Sequence, residues 1–332
     1  MTVKTYILEF FALIKGLTFD RLGNLLRLKI SYFFSLCTKK YWHWGNPMAF
    51  SIEPANFCNL NCVECPTGNG SKKTSEKRLF SLDKFKHLLD IYHKHVWISQ
   101  LFFQGEPFLN NHLYEMIKEC QKYHLYSIVS TNGHFLSTSN ADKVVKSGLT
   151  HLIISLDGIK QSDYEQYRKN GNVLTVIEGI QNIVKSKKIN NSHYPIVEVQ
   201  CLLFSFNEHK QKEIFAFAKK LGVDKVTFKK SQFYNLSSTN HLIPTNANNS
   251  RYTIENEKFT LKRKAKNHCW KNWHSAVINV NEDMLPCCFD KNADHAFGTF
   301  SDNCFNNKKA QEFRQNILSN RDLIDICQNC PF

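Results

Sequence analysis

Apolar residues along the middle of the chain follow two alternating spacings, each typical of one kind of secondary structure. Short runs rich in β-branched and aromatic residues are typical of strands. Between them lie longer segments with apolar residues every three or four positions, which predict amphipathic helices. The predicted strands are AFSIEP (49–54), SQLFFQG (99–105), YSIVSTN (126–132), HLIISLD (151–157), IVEVQCLLF (196–204) and KVTFKK (225–230).

The helical segments follow these strands in turn, and two of them carry end signals. Ser81 is a good N-cap because its hydroxyl can accept a hydrogen bond from a backbone N–H of the first turn. Gly222 suits a helix C-terminus because glycine readily takes the left-handed conformation found there. The predicted helices are SLDKFKHLLDIYHKH, LYEMIKECQKY, LTVIEGIQNIVKSKK and EHKQKEIFAFAKKLG.

Strands that alternate with helices predict βαβ units, a parallel sheet and right-handed crossovers. Six such units are fewer than the eight of a closed (β/α)8 barrel. We therefore predict an α/β fold in which residues 46–234 form an open, partial (β/α)6 TIM-like barrel. In such barrels the chemistry takes place at the carboxyl ends of the strands.

Segments of different character flank the predicted barrel. Residues 5–14 and 22–37 are apolar with interspersed charges, and they predict helices in an N-terminal extension over residues 1–45. Neither segment reaches the 18 apolar residues that a membrane span requires. Two roles stay open, packing on the barrel and docking on a membrane surface. The second would use Phe10, Phe11, Phe33 and Phe34.

Beyond residue 234 the alternation of strands and helices is lost. Residues 235–252 are rich in Asn, Ser and Thr and predict a linker. We predict a small second domain over residues 235–332.

Charge and cysteine content narrow the classes of partner. Lys and Arg exceed Asp and Glu by 43 − 29 = 14, a balance that attracts anionic partners. The charges are scattered, which favours a generally solvated basic surface, and no basic run interleaved with aromatics points to nucleic acid.

The first apolar run contains Glu9 and no cleavage site, so we expect a cytoplasmic protein. In a reducing compartment, clustered cysteines more often bind metal than form disulfides.

Three cysteines follow the first predicted strand directly, in the stretch CNLNCVECPTG. Cys58, Cys62 and Cys65 in one loop suit a single inorganic cluster. A [4Fe–4S] cube held at three corners leaves one iron free for another ligand. The residues alone leave a zinc site open as well, with a fourth ligand such as His93 or His95.

The spacing Cys-x3-Cys-x2-Cys at the end of a first strand resembles the cluster motif of the radical SAM superfamily. The resemblance implies that Cys58, Cys62 and Cys65 are the catalytic metal ligands, and that S-adenosylmethionine (SAM) chelates the open iron. It also implies reductive cleavage of SAM to a 5′-deoxyadenosyl radical, which abstracts hydrogen from a substrate. The electron would come from a flavodoxin- or ferredoxin-type donor.

Further segments, each at the end of its own strand, resemble the SAM-binding turns of that family. The stretch 104–107, Gln-Gly-Glu-Pro, resembles the Gly-Gly-Glu turn. This implies that Glu106 accepts from the methionyl ammonium and that Gly105 gives the backbone close access. Ser-Thr-Asn-Gly resembles the ribose-binding turn, which implies that Ser130 and Asn132 contact the hydroxyls.

The fourth and fifth strand ends extend the resemblance. Ser155, Asp157 and Arg168 match the segment that anchors the methionyl carboxylate. Arg168 is the stronger candidate because guanidinium pairs with carboxylate bidentately. Asn207 stands where the family often contacts the ribose or adenine.

A single sequence of this kind more often marks an ordinary turn than a cofactor-binding one. The resemblance depends on all of them occurring in order, at the ends of successive strands. Two positions depart from the family pattern. Gln104 replaces the first glycine of its turn, and Glu64 stands where an aromatic residue often lies near the adenine.

A second set of cysteines lies near the end of the chain. Cys327-x2-Cys330 is a good metal-ligand pair, and Cys269 precedes Cys287 across the strand-like AVINVNEDMLP. Four thiolates from two segments suit tetrahedral zinc and a fully ligated [4Fe–4S] cluster equally well. Cys288 competes with Cys287 for the same role.

The segments CWKNWHSAVINVNEDMLPCCFD, GTF, FRQNIL and CQNC resemble the C-terminal region of SPASM and twitch radical SAM proteins. Too few cysteines are present for a full two-cluster SPASM domain. The resemblance therefore implies one auxiliary [4Fe–4S] cluster, similar to that in the twitch domain of the butirosin-pathway alcohol dehydrogenase. Its ligands would be Cys269, Cys287, Cys327 and Cys330.

The resemblance predicts a radical SAM oxidoreductase whose substrate radical passes an electron to the auxiliary cluster. Two substrate classes compete, a carbohydrate-type alcohol and a ribosomal peptide or protein side chain. A third interpretation is a non-catalytic Fe–S or zinc scaffold that binds a partner through its basic surface.

Overall fold

The fold combines one large mixed sheet with helices on its outer side. The computed structural model describes residues 3–71, 78–234, 240–255, 258–262 and 265–331. The strands are β1 (Ala49–Ile52), β2 (Ile98–Gln100), β3 (Tyr126–Thr131), β4 (His151–Ser155), β5 (Ile196–Leu203), β6 (Lys225–Lys230), β7 (Tyr252–Glu255), β8 (Lys258–Leu261), β9 (Ser275–Ile278), β10 (Asp283–Leu285) and β11 (Gly298–Thr299). The helices are α1 (Val3–Lys15), α2 (Phe19–Thr38), α3 (Leu82–Tyr92), α4 (Leu113–Lys122), α5 (Thr138–Lys146), α6 (Gln161–Tyr167), α7 (Val173–Ile189), α8 (Gln211–Lys220), α9 (Trp270–His274), α10 (Lys308–Asn320) and α11 (Asp325–Gln328).

Strands β1 to β6 lie side by side in chain order, and all of them are parallel. On its other side β1 pairs in parallel with β9, where Ile52 lies opposite Ile278. Strands β10 and β11 continue the sheet antiparallel, while β7 and β8 form a separate antiparallel pair. The C-terminal segment thus extends the sheet of the barrel.

The predicted partial α/β barrel is confirmed, and all six predicted strands are present. Several end earlier than predicted; β2, for example, ends at Gln100, although the next residue, Leu101, still donates its N–H to the Ile128 carbonyl of β3 at 2.7 Å. The strand-like run 276–286 is a hairpin, since the side chain of Asn279 accepts from the Asp283 N–H at 2.9 Å and closes the turn. Of the predicted linker, residues 235–239 lie outside the described residues, and a 3-10 turn covers 240–242.

The predicted helices pack against one face of the sheet, through strand residues such as Val129, Ile154 and Val199. Ser81 caps α3 as predicted, accepting from the Lys84 N–H at 3.2 Å. The sequence pattern did not reveal α5, α6 and α10, which are short or rich in polar residues. The core between sheet and helices is fully buried and includes Leu88, Ile117, Val129, Val144, Ile154, Ile180 and Val199.

Helices α1 and α2 cross the amino ends of the strands. Thr5 donates to the carbonyl of Asp224, just before β6, and Trp97, just before β2, donates to the carbonyl of Leu13 at 2.9 Å. The guanidinium of Arg21 donates to two backbone carbonyls at the ends of α3 and α4. Both predicted N-terminal helices are present and pack on the barrel. None of the helices in the described part of the chain has the length and hydropathy to cross a membrane.

A buried ionic cluster ties α1 to the sheet. The carboxylate of Glu198 lies 3.0 Å from His151 Nε2 and 3.2 Å from Lys225 Nζ, and Lys225 also pairs with Glu9 of α1. Burial alone raises the pKa of a carboxyl group. Hydrogen bonds from the side chains of His151 and Thr227, with the charge of Lys225, nevertheless hold the pKa of Glu198 at about 2.

Glu198→Gln is expected to lower the free energy of unfolding by about 2 kcal/mol at pH 7. A carboxyl with a depressed folded-state pKa stabilises the fold above its unfolded value and loses that contribution as the pH falls. The difference between wild type and variant should therefore shrink between about pH 4.5 and pH 2. Urea unfolding across this range measures it. Glu213→Gln, at an exposed position of α8, is the control; an equal loss there would contradict the assignment.

Candidate active site

The loop that follows β1, residues 53–71, brings three thiols together at the carboxyl end of the strand. Cys62 is buried, and Cys58 and Cys65 are half-buried. Burial, with smaller contributions from the two nearby thiols, raises the pKa of Cys58 to about 11. Since thiolates are the metal ligands, a group bound here would have to displace these protons.

Gly105 lets the next strand end approach this cysteine loop closely. Its φ is +72°, and a Cβ at this position would lie 2.3 Å from the carbonyl oxygen of Ala55 and 2.7 Å from that of Phe57. The Glu106 N–H donates to the same Phe57 carbonyl at 2.9 Å. Only glycine fits this contact, so the two turns form one surface.

The Glu106 carboxylate joins the ends of β2 and β3. It accepts from Thr131 Oγ1 at 2.7 Å, from the Asn132 N–H at 2.8 Å and from the Phe108 N–H at 3.2 Å. The residue is buried, and burial raises the pKa of Glu106 to about 7 despite these donors. The carboxylate therefore shapes the turn that carries Asn132.

The turn after β3 lies against the cysteine loop. The amide nitrogen of Asn132 donates to Asn59 Oδ1 at 2.7 Å and approaches Cys58 Sγ at 3.6 Å. Ser130 is half-buried on β3. The structure thus places the predicted ribose-binding turn next to the first cysteine of the loop.

Arg168 is held between a carboxylate and the cysteine loop. Its Nε donates to Asp157 Oδ2 at 2.6 Å, and its Nη1 lies 3.8 Å from Cys62 Sγ. Asp157 is fully buried and also accepts from the Leu202 N–H at 2.6 Å. Ser155 is the last residue of β4 and is buried nearby.

Asn207 is fully buried, and its side chain braces the ends of β4 and β5. Its amide nitrogen donates to the carbonyls of Asp157 and Leu202 at 2.7 and 2.8 Å, while its oxygen accepts from the Phe204 N–H. Each side-chain hydrogen thus has a protein acceptor. The predicted contact of Asn207 with ribose or adenine stays a prediction.

A second cysteine set lines one enclosed cavity in the C-terminal segment. Arg321 from the same wall lies with its Nη2 3.3 Å from Cys330 Sγ. Among the described residues, no three His, Cys, Asp or Glu side chains are placed to hold a single metal ion. The cysteines of the cavity are Cys269, Cys287, Cys327 and Cys330.

Cys288 points away from this set, although it is adjacent to Cys287. Its sulfur lies 3.0 Å from Lys271 Nζ and lines a different, larger cavity. Burial raises the pKa of a thiol, but the ammonium groups of Lys271 and Lys291 bring the pKa of Cys288 below its ordinary value. The structure therefore gathers Cys287, not Cys288, with the other three.

The larger cavity has a volume of about 710 Å³ and occupies the interior of the partial barrel. Its wall is mainly apolar, with Gln100 and Lys229 among its polar residues. Burial lowers the pKa of Lys229. Cys269 and Lys271 line both this cavity and the enclosed cysteine cavity, so the two share a wall.

A sequence model of the radical SAM superfamily matches residues 52–218, half of the chain. The chain belongs to the radical SAM superfamily. A second model, that of the SPASM iron–sulfur cluster-binding domain, matches residues 269–331 and includes the second cysteine set. The predicted family and the predicted cofactors of this radical SAM protein, SAM and [4Fe–4S] clusters, are confirmed by these matches.

Curated relatives match the chain over part of their length. The chain is 30% identical over 125 residues to GTP 3′,8-cyclase of Lactiplantibacillus plantarum, which covers 37% of each protein. It is 23% identical over 180 residues to mycofactocin maturase MftC of Mycolicibacterium smegmatis, 53% of this chain and 43% of the relative. The chain thus spans less than half the length of these two relatives.

Solved structures of other radical SAM proteins share the fold. BtrN in complex with AdoMet and 2-DOIA superposes with a TM-score of 0.51 at 18% identity, over 86% of this chain and 94% of BtrN. SuiB of Streptococcus suis bound to precursor peptide SuiA gives 0.58 at 13% identity, over 81% and 66%. At such identities the likeness shows the fold.

The residues at the strand ends fit the cofactors of the superfamily. The three thiols of the cysteine loop lie near enough to interact electrostatically, and three thiolates from one loop suit a cluster held at three corners. In the described part of the chain, the side-chain oxygens of Gln104 and Gln200 are buried without a hydrogen-bond partner. Such acceptors suit the ammonium or hydroxyl donors of a bound SAM molecule.

Sequence reasoning missed a contact between the turn at residues 104–107, which is predicted to bind SAM, and the C-terminal segment. Gln104 Nε2 donates to the backbone carbonyl of Lys291 at 2.8 Å, across 187 residues of chain. The departure from glycine at position 104 was the one available signal, and it carried no information about the partner.

Gly105→Ala is expected to destabilise the protein by roughly 2–4 kcal/mol, because a methyl group would overlap two carbonyl oxygens at a positive φ. The midpoint of urea unfolding measures the loss. Gly70→Ala is the matched control, since Gly70 also has a positive φ, +75°, but an added Cβ meets nothing within 4 Å. It should cost only about 1 kcal/mol. Equal losses would refute the close-approach argument.

Proposed function

We propose that this radical SAM protein is an oxidoreductase that converts a carbohydrate-type alcohol to a carbonyl compound. The supporting observation is the wall shared by the two cavities, which Cys269 and Lys271 both line. A substrate in the larger cavity would lie next to the site of the auxiliary cluster. This adjacency suits transfer of an electron out of the substrate.

The strand-end residues would hold SAM against the cysteine loop. Arg168 already lies at Cys62 and is the proposed partner of the methionyl carboxylate, with Ser155 and Asp157 beside it. Glu106 and the orphaned oxygen of Gln104 are the proposed acceptors for the ammonium. The proposed sugar and base contacts come from Ser130, Asn132 and Asn207.

When bound, the cofactors supply hydrogen abstraction by the 5′-deoxyadenosyl radical and, at the auxiliary cluster, an acceptor for one electron. The remaining product of alcohol oxidation is the hydroxyl proton. Lys229, in its neutral form, is the proposed acceptor for this proton because its side chain lines the cavity. The hydrogen atom, electron and proton are thereby all accounted for.

The size of the cavity supports a small substrate over a peptide. A volume of about 710 Å³ falls in the usual range of small-molecule sites. A peptide maturase is the second candidate, motivated by the shared fold with SuiB. The reaction products distinguish these two candidates. If the protein is an alcohol oxidoreductase, incubation with a panel of sugars and aminocyclitols should yield a product that is lighter than its substrate by two hydrogen atoms.

Anaerobically reconstituted protein is expected to hold two [4Fe–4S] clusters and to release 5′-deoxyadenosine with dithionite and SAM. Replacing Cys58, Cys62 and Cys65 by Ala should leave one cluster and abolish this release. Replacing Cys327 and Cys330 by Ala should also leave one cluster, yet preserve release because the SAM site is intact. Iron and sulfide analysis measures the cluster content of each variant, and chromatography measures the 5′-deoxyadenosine that it releases.

Cys288→Ala is the matched control, since its sulfur lies outside the enclosed cavity, and it should keep both clusters. Loss of one cluster in this variant would assign the ligand to Cys288 instead of Cys287. Wild-type protein that binds clusters but releases no 5′-deoxyadenosine would favour the non-catalytic scaffold. A triple variant without any cluster would refute the auxiliary site.

A further inference from the structure

Helix α2 presents its apolar side to solvent and its polar side to the protein. Residues spaced three or four apart form an exposed apolar stripe, in which Phe19 is 94% and Phe33 62% exposed. The opposite side is buried although it is largely polar. The exposed stripe comprises Phe19, Leu22, Leu26, Ile30 and Phe33, and the buried side Arg21, Asn24, Leu28, Ser31 and Ser35.

Hydrogen bonds fix this orientation. Arg21 donates to the carbonyls of His93 and Tyr123 at 3.0 and 2.8 Å. Asn24 exchanges two hydrogen bonds with the backbone of Asn46, at 2.8 and 2.9 Å. Rolling the helix to bury its apolar stripe would break all of these bonds. The exposed stripe is therefore a built feature of the fold.

Elements next to α2 in the chain carry further exposed apolar residues. Helix α1 turns Thr5 and Glu9 toward the barrel and exposes its larger apolar residues. After α2, the ring of Trp44 lies 5.6 Å from that of Phe34, and Trp42 is also exposed. We call the combined surface the N-terminal apolar face. From α1 it includes Val3, Tyr6, Ile7, Phe10, Phe11 and Ile14.

Basic side chains surround this face. Of the acidic residues in the segment, Asp20 is exposed and Glu9 is paired with Lys225. A second copy of the chain would bring the same positive charges against one another, which disfavours self-association. Anionic lipid headgroups complement them. The exposed basic residues are Lys4, Lys15, Arg27, Lys29, Lys39 and Lys40.

We propose that the N-terminal apolar face docks the protein on the surface of an anionic phospholipid bilayer. The two helices lie in the plane of the interface, with Phe side chains at the acyl boundary and the basic rim among the headgroups. Tryptophans such as Trp42 and Trp44 suit this interface because one end of the ring is apolar and the other polar. Since the helices cross the amino ends of the strands, the cysteine loop faces away from the membrane.

Membrane binding of the chain is measured by sedimentation with vesicles made of equal parts phosphatidylglycerol and phosphatidylcholine. We expect binding to these vesicles, a blue shift of tryptophan emission, and at least tenfold weaker partitioning onto pure phosphatidylcholine or at high salt. A variant with Phe10, Phe19 and Phe33 replaced by Ser should partition at least tenfold more weakly. Its cluster content and 5′-deoxyadenosine release should match the wild type.

A control variant replaces Leu174, Ile189 and Leu323 by Ser, exposed apolar residues outside the face. It should bind vesicles like the wild type. The proposal is overturned if wild type ignores anionic vesicles, or if both variants lose binding equally. It is also overturned if sedimentation equilibrium shows a dimer that the Phe variant alone abolishes, since the face would then belong to a second copy. Vesicle binding does not depend on the proposed alcohol oxidation, so a protein that oxidised no substrate would still give a valid result in this test.

Discussion

The pairing of β1 with β2 on one side and β9 on the other positions both cysteine sets. Ile52 ends β1 opposite Ile278, and the next residue, Glu53, donates its N–H to the Ile278 carbonyl at 2.9 Å. The Glu53 carboxylate in turn accepts from the Val280 N–H at 3.1 Å. Because β9 lies between Cys269 and Cys287, this junction fixes the C-terminal cysteines relative to the loop after β1.

The residues predicted to touch SAM are also those that join the strand ends to one another. Glu106 links the turns after β2 and β3, while Asp157 links β4 to β5 and to Arg168. Such bonds hold the side chains in place before a ligand arrives, which lowers the entropy lost on binding. A substitution at one of these positions would therefore alter the geometry of its neighbours as well as its own contact.

The sequence predicted the barrel well because its signals are local. Alternating apolar spacings mark strands and helices, and three cysteines within one loop need no knowledge of distant contacts. It could not separate Cys287 from Cys288, since adjacent residues in a tight turn face opposite ways and only the surrounding walls decide which joins the cavity. The contact of Gln104 with Lys291, and the outward apolar stripe of α2, likewise depend on partners far along the chain.

The inward polar side of α2 also has a consequence for biosynthesis. Arg21 is synthesised before its acceptor on Tyr123, which follows 102 residues later, and Tyr32 contacts His268, 236 residues further along the chain. Domains generally fold as units during synthesis, so α1 and α2 are made well before their partners in the barrel. Until then both sides of each helix are accessible, and a nascent chain can meet lipid or a chaperone before its own barrel exists.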